Sequence, residues 1–216
     1  MSNSLKMARL DYFVFKSQII SYAALILMTV MFSLMGSSFV TLGITVAWFV
    51  ALLSTNIFSI QEKNELEELY ASLPFNLKSI IRGRYIFTFV NYALAMILTI
   101  IIGVFVSFMQ KKNLDYADTF LGICISLLAF TIISGIQIPI YFKLGYTKAK
   151  AWCMIPFILV MAICILPFFL DAFLSIITGL MEHQMILEII ILIISFIVLL
   201  VSYNLSVKCY QKSSRR

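Results

Sequence analysis

The chain has 216 residues, 62% of them hydrophobic and only 12% charged, with a formal net charge of +6 and a mean hydropathy of +1.03. A soluble globular domain carries roughly 25% charged residues, so this composition excludes an ordinary water-soluble domain and points to the bilayer. A hydrocarbon core about 30 Å thick needs roughly 20 apolar residues per helix, and abundant Ile, Leu and Phe without period-two alternation favour helices over a barrel.

Six stretches meet that requirement, at residues 17–35, 39–60, 85–109, 119–142, 151–170 and 187–207. The expected fold is all-α: a polytopic membrane protein with six transmembrane helices, forming a single domain over residues 1–216. Ahead of the first span, "SLKMARLDYFVFK" sets Met7, Leu10, Phe13 and Val14 at helical spacing, with Lys6, Arg9 and Lys16 largely elsewhere around the helix. Residues 1–16 therefore read as an interfacial amphipathic helix on the membrane surface. The plainer alternative is a charged tail that only fixes topology. The apolar run after Lys16 exceeds the core of a signal peptide and has no clear cleavage site, so it reads as an uncleaved span. Spans one and two fuse in an uncharged run from Ser17 to Gln61, whose natural crease is Met35-Gly36-Ser37-Ser38.

Between spans two and three lies "EKNELEELYASLPFNLKSIIRGRY", residues 62–85, with four of the ten acids and four of the sixteen bases. Leu66, Leu69, Tyr70 and Leu73 recur at i, i+3, i+4 and i+7, one face of a helix. Glu62, Glu65, Glu67 and Glu68 gather toward its start, where the helix dipole favours anions. Pro74 ends it and acts as a hinge, because proline cannot continue the hydrogen-bond ladder. A second helical pattern follows Asn76, a plausible N-cap, and carries Leu77, Ile80 and Ile81 through Arg82 and Arg84 toward span three. Such a module suits a soluble protein partner or packing on the chain's own helices. Four glutamates beside an anionic leaflet disfavour lipid.

Farther along, "QKKNLDYAD" is a short loop between spans three and four, and "KLGYTKAK" a basic loop between spans four and five, with Gly145 suited to end the preceding helix. The stretch from Asp171 to Glu188 is too apolar for a water-exposed loop; it reads as an outer re-entrant segment or as an extension of span five or six. An even number of spans puts both termini on one side. That side then holds fourteen of the sixteen basic residues and leaves only Lys111 and Lys112 opposite. The bias sets the termini and residues 62–84 in the cytoplasm and explains Lys78, Arg82 and Arg84 by topology. The positive charge suits anionic membrane lipid, with no nucleic acid as partner.

Little catalytic chemistry is present. There is no phosphate-binding G-x-x-x-x-G-K-[ST] motif, no metalloprotease or nucleophile-elbow motif and no paired intramembrane carboxylate, so the chain is not expected to be an enzyme by itself. No catalytic, cofactor or metal residue is assigned. His183 lacks companions, and Cys124, Cys153 and Cys164 read as small buried hydrophobes, with Cys209 in the tail. The interiors of the spans lack charged residues, which disfavours ion-coupled transport. Asn56, Asn91 and Gln137 are their notable polar residues, with Ser126, Thr131 and Ser134 near the last; they suit interhelix hydrogen bonds or the lining of a substrate route. Pro139 frees a backbone carbonyl and favours a kink.

The order of an amphipathic N-terminal helix, two closely linked spans, a charged segment with Ser72-Leu73-Pro74, and Arg82-Gly83-Arg84-Tyr85 leading into span three resembles the permease subunits of ABC-2 type ABC transporters. The resemblance covers nearly the whole chain by topology and residues 60–86 by motif. It implies that residues 62–84 form a coupling segment, with Glu65, Leu66, Glu67, Glu68, Leu69, Tyr70, Ser72 and Leu73 docking on a separate ABC ATPase. It also implies two ATPase copies carrying ATP and Mg, a second permease subunit in a homo- or heterodimer, and short re-entrant helices between spans five and six, at residues 171–188. The expected function is ATP-driven export of an amphipathic or hydrophobic substrate such as a peptide across a bacterial plasma membrane. The alternative is a non-transporting membrane interaction protein, a self-protection or sensor subunit that needs no ATP.

Overall fold

Gly36 turns the chain between the first two apolar helices through a left-handed backbone, φ +75°, a conformation that costs glycine nothing. A computed structural model of the chain describes residues 3–15, 19–64, 77–111, 116–165 and 184–213, and every regular element among them is helical. In order these are α1 (Asn3–Phe15), α2 (Ile19–Leu34), α3 (Phe39–Lys63), α4 (Leu77–Met109), α5 (Tyr116–Leu144), the short α6 (Tyr146–Ala149), a 3-10 turn (Trp152–Met154), α7 (Ile155–Ile165) and α8 (Gln184–Ser213).

Helices α3, α4, α5 and α8 are long and apolar enough to cross a membrane, and they correspond to the second, third, fourth and sixth predicted spans. The first and fifth spans hold shorter apolar helices among the described residues, 16 residues in α2 and 11 in α7. The predicted crease is a Schellman turn: Ser37 N–H donates to Phe32 O at 3.2 Å and Gly36 N–H to Ser33 O at 3.0 Å, the two bonds that close a helix around a left-handed residue. Ser38 then caps α3, its hydroxyl accepting from Thr41 N–H at 3.4 Å.

Two boundaries differ from expectation. The basic lead-in and span three are one continuous helix from Leu77 to Met109, because no proline or left-handed residue interrupts them. Span six begins earlier than drawn, at Gln184, so Gln184 to Glu188 belongs to α8; the rest of the proposed re-entrant stretch, 171–183, with His183, lies outside the described residues.

Contacts between helix ends fix an antiparallel arrangement. At one end, Phe39 N–H of α3 donates to the Asp118 carboxylate at the start of α5, 3.3 Å, Gln110 after α4 donates to Leu34 O at the end of α2, 3.1 Å, and Gln184 of α8 donates to Ala117 O, 3.0 Å. The opposite end gathers the finish of α3, the start of α4 and the finish of α5. Lys63, Lys78, Arg82, Lys143, Lys148 and Lys150 lie at or beside those termini, making it the basic end, while Lys111 follows α4 at the other.

Helix α5 is central, packed on α3 and α8 and flanked by α7. The middle layer joins Val46 and Val50 of α3, Tyr92 and Met96 of α4, Phe130 and Ile133 of α5, and Phe157 of α7. Tyr92 stacks on Phe130 with ring centroids 4.3 Å apart. The α3–α5 crossing is close because small residues meet there: a Cβ on Gly43 would lie 2.8 Å from Ser126 Cβ, and one on Gly122 would lie 2.8 Å from the Phe39 carbonyl carbon. Membrane helices associate through such small-residue contacts because lipid supplies no hydrophobic drive between them. By contrast, less than a fifth of the most apolar part of α8 is buried, and its outer face of Ile189, Ile193, Phe196 and Leu200 suits lipid.

Candidate functional site

The basic end is where the two stems of the charged segment meet, and Arg84 joins them. Its side chain is only 2% exposed. Its Nε stands 3.3 Å from Asp11 Oδ2 of α1, its Nη2 donates to the side-chain carbonyl of Gln61 on α3, and its guanidinium lies 5.0 Å above the Phe58 ring. A guanidinium removed from water must be paired and hydrogen-bonded, and two other helices supply it with a charge partner, a hydrogen bond and a ring face. Burial pushes the Asp11 carboxyl above its ordinary value, against the opposing pull of the Arg84 charge and hydrogen bond.

This pair was not singled out in the sequence, where Arg84 reads as a topological charge. Helix α1 lies against α4 and buries Met7 and Asp11, spaced i and i+4, whereas Leu10 of the expected apolar stripe is 37% exposed. An acidic residue on the buried side of an otherwise basic helix, with an arginine farther along the chain, was the available signal.

Glu62 makes the second connection. Its carboxylate accepts from Tyr146 N–H, from Thr147 N–H at 3.0 Å and from the Thr147 hydroxyl. It therefore caps α6 across the loop after α5. Gly145, at φ +74°, makes the turn that presents those amides, ending α5 as expected with its N–H on Tyr141 O at 3.0 Å. Glu62, exposed at the surface, is thus occupied by the chain's own amides and hydroxyl. The docking residues Glu65, Leu66, Glu67, Glu68, Leu69, Tyr70, Ser72 and Leu73, and the hinge Pro74, lie outside the described residues; both stems that carry them are anchored.

Above this junction, Pro139 has a visible consequence. Lacking an N–H, it leaves Gly135 O without its helical donor, and the Ser202 hydroxyl of α8 donates to that carbonyl at 2.7 Å. Tyr85, the last residue of the Arg-Gly-Arg-Tyr motif, hydrogen-bonds Ser202 and also Ser206, the latter at 2.9 Å. One polar cluster therefore pins α4, α5 and α8 together. Beside it a groove of about 330 Å³, lined by Phe89, Phe130, Ile138, Leu199 and Tyr203 among others, is almost wholly apolar.

Of the three polar span residues, the structure brings two together. Asn56 and Gln137 line a cavity of about 260 Å³ between α3, α5 and the α6–α7 turn. Asn91 is buried on α4 and is not among its lining residues. Gln137 also serves as an interhelix tie, its Nε2 donating to Cys153 O at 3.1 Å. The serines and threonine near it mostly bond their own helix, Ser134 to Phe130 O at 2.6 Å and Thr131 to Leu128 O at 2.9 Å, while Ser126 bonds Tyr92 of α4. Cys124 and Cys153 are buried as expected, and Cys209 is half-buried.

A family model described as "ABC-2 family transporter protein" matches residues 6–211. No curated protein and no solved structure matches the chain. The matched range runs from within α1 to within α8 and takes in the charged segment with the Arg84 and Glu62 junctions: the chain belongs to the ABC-2 transporter family and is a membrane permease.

Proposed function

We propose that this permease is the membrane subunit of an ATP-driven exporter whose ATPase is a separate chain. Residues Glu65 to Leu73 are its docking helix, and ATP and Mg act on the partner. Two ATPase copies and a second permease subunit complete the assembly, since six spans make half of the family's usual pathway. The basic end faces the cytoplasm of a bacterial cell, following the positive-inside bias. The cargo is amphipathic or hydrophobic, a peptide being the best fit to the family.

The observation that carries this reading is the anchoring of both stems of residues 65–76. Gln61 and Arg84 clamp the stems to each other and, through Asp11, to α1, while Glu62 ties them to the loop after α5. A push delivered at residues 65–73 therefore reaches α1, α3, α4 and α5 together. Packed helices respond to such a push by discrete tilts, because interfaces are bistable and not continuously deformable.

The test is co-purification. Replacing Leu66, Leu69 and Leu73 together with serine is expected to release the ATPase while the permease stays in the membrane fraction. Undiminished ATPase recovery with the triple variant would reject the docking assignment.

A further inference from the structure

The geometry points to a second site, independent of transport: the cavity between α3, α5 and the α6–α7 turn binds one anionic phospholipid, its phosphate at Lys150 and its headgroup hydroxyl on Gln137. The cavity, about 260 Å³, holds far more than a single water, whose share of liquid volume is about 30 Å³. Its lining is graded. At the open end stands Lys150, an exposed cation. At the closed end is Gln137, 1% exposed, whose Oε1 has no hydrogen-bond partner among the described residues.

A buried acceptor left unpaired is costly, and here the companion Nε2 is already committed to Cys153 O, so Oε1 calls for an incoming donor. Asn56 adds a second amide to the same wall. The rest of the wall is more apolar than polar, with Leu52, Met154 and Phe157 beside Thr55, Tyr141 and Tyr146. Leu52 and Met154 are 39% and 44% exposed, so the apolar wall continues onto the surface of membrane helices, and an acyl chain enters from the side. Cation, apolar wall and buried acceptor together fit a phosphodiester headgroup with a free hydroxyl and an attached chain. Basic pockets between membrane helices take anionic headgroups in this way.

Native mass spectrometry of the full-length protein in detergent tests the assignment without ATPase or cargo. The probes are dioleoyl-phosphatidylglycerol, dioleoyl-phosphatidylcholine and, for a water-soluble source of the same headgroup chemistry, glycerol 3-phosphate. One phosphatidylglycerol is expected to be retained about tenfold more tightly than phosphatidylcholine. Lys150→Gln should weaken it about fivefold and Gln137→Leu about tenfold, with Lys148→Gln, a change in the same loop outside the lining, leaving it unaltered. Because Gln137 also holds the 3-10 turn before α7, Asn56→Leu serves as a second cavity variant and should weaken binding in the same direction.

Equal retention of the two lipids, or equal weakening by Lys148→Gln and Lys150→Gln, would overturn the site. Full displacement by equimolar glycerol 3-phosphate would overturn the lipid assignment. These outcomes leave the docking test at Leu66, Leu69 and Leu73 untouched, so the two readings fail separately.

Discussion

Arg84 illustrates how a single charge is kept in a greasy chain. Its guanidinium reaches an acid on α1, an amide on α3 and a ring face on α3 at once, using the planar fork of donors and the flat face that lysine lacks. Removing one partner strands the other, and a stranded buried charge costs about 3–5 kcal/mol. Arg84→Met is therefore expected to lower the melting temperature of the detergent-solubilised protein far more than the double variant Asp11→Leu/Arg84→Met. Fluorescence-detected thermal unfolding of the four proteins of the cycle measures the coupling. Additive losses would show that the two side chains act independently.

The pair also marks where residue-level reading stops. Helical spacing on residues 4–16 correctly gives a helix, yet the side that turns inward carries Asp11 as well as Met7. The partner that makes an inward aspartate tolerable lies on a different helix, and no periodicity within α1 reveals it.

Among elements, α5 matters most, and its contacts are set by what its residues lack. Gly122 lacks a side chain, so the backbone of α3 at Phe39 comes within 2.8 Å of where a Cβ would stand. Pro139 lacks an N–H, so Gly135 O is left for Ser202 of α8. Gly122→Ala is expected to destabilise by about 1–3 kcal/mol, the usual cost of overpacking, because backbone sits on the far side and cannot rotate away. Gly135→Ala should be much milder, since its nearest neighbour is the Val198 side chain at 3.3 Å. Comparing the two melting temperatures checks the difference; equal losses would mean that α5 does not sit against α3 as described.

The turns of these elements were legible and the span boundaries less so. Gly36 and Gly145 fall where the chain needs positive φ, a demand that sequence records directly because other residues resist it. The short helix expected after Asn76 and the apolar span expected from residue 85 are one helix, Leu77–Met109, because charged residues end an apolar run without ending a helix. Helical hydrogen bonding does not require that a residue be apolar, only that nothing break the ladder.

For the whole molecule, the antiparallel order of α2 to α5 and the return of α8 bring the bases to one end. The orientation that follows is tested by single cysteines in a variant freed of Cys124, Cys153, Cys164 and Cys209. A membrane-impermeant maleimide applied to intact cells should label Lys111→Cys and spare Lys148→Cys, with the pattern reversed in inverted vesicles. Labelling of Lys148→Cys in intact cells would invert the topology and remove the basis for a cytoplasmic ATPase.

By itself the sequence determined that this protein is a helical membrane permease, that its second, third, fourth and sixth expected spans are long apolar helices, and that most of the described bases gather at one end. Those features follow from local rules: bilayer thickness sets span length, and every backbone polar group must be satisfied within its own helix. Only the tertiary structure decided that Arg84 joins Gln61, 23 residues away, that Glu62 caps a helix 84 residues on, and that Asn56 and Gln137 share a cavity without Asn91. On helices apolar all round, composition does not say which face turns inward; packing of small residues and pairing of the few polar groups make that choice.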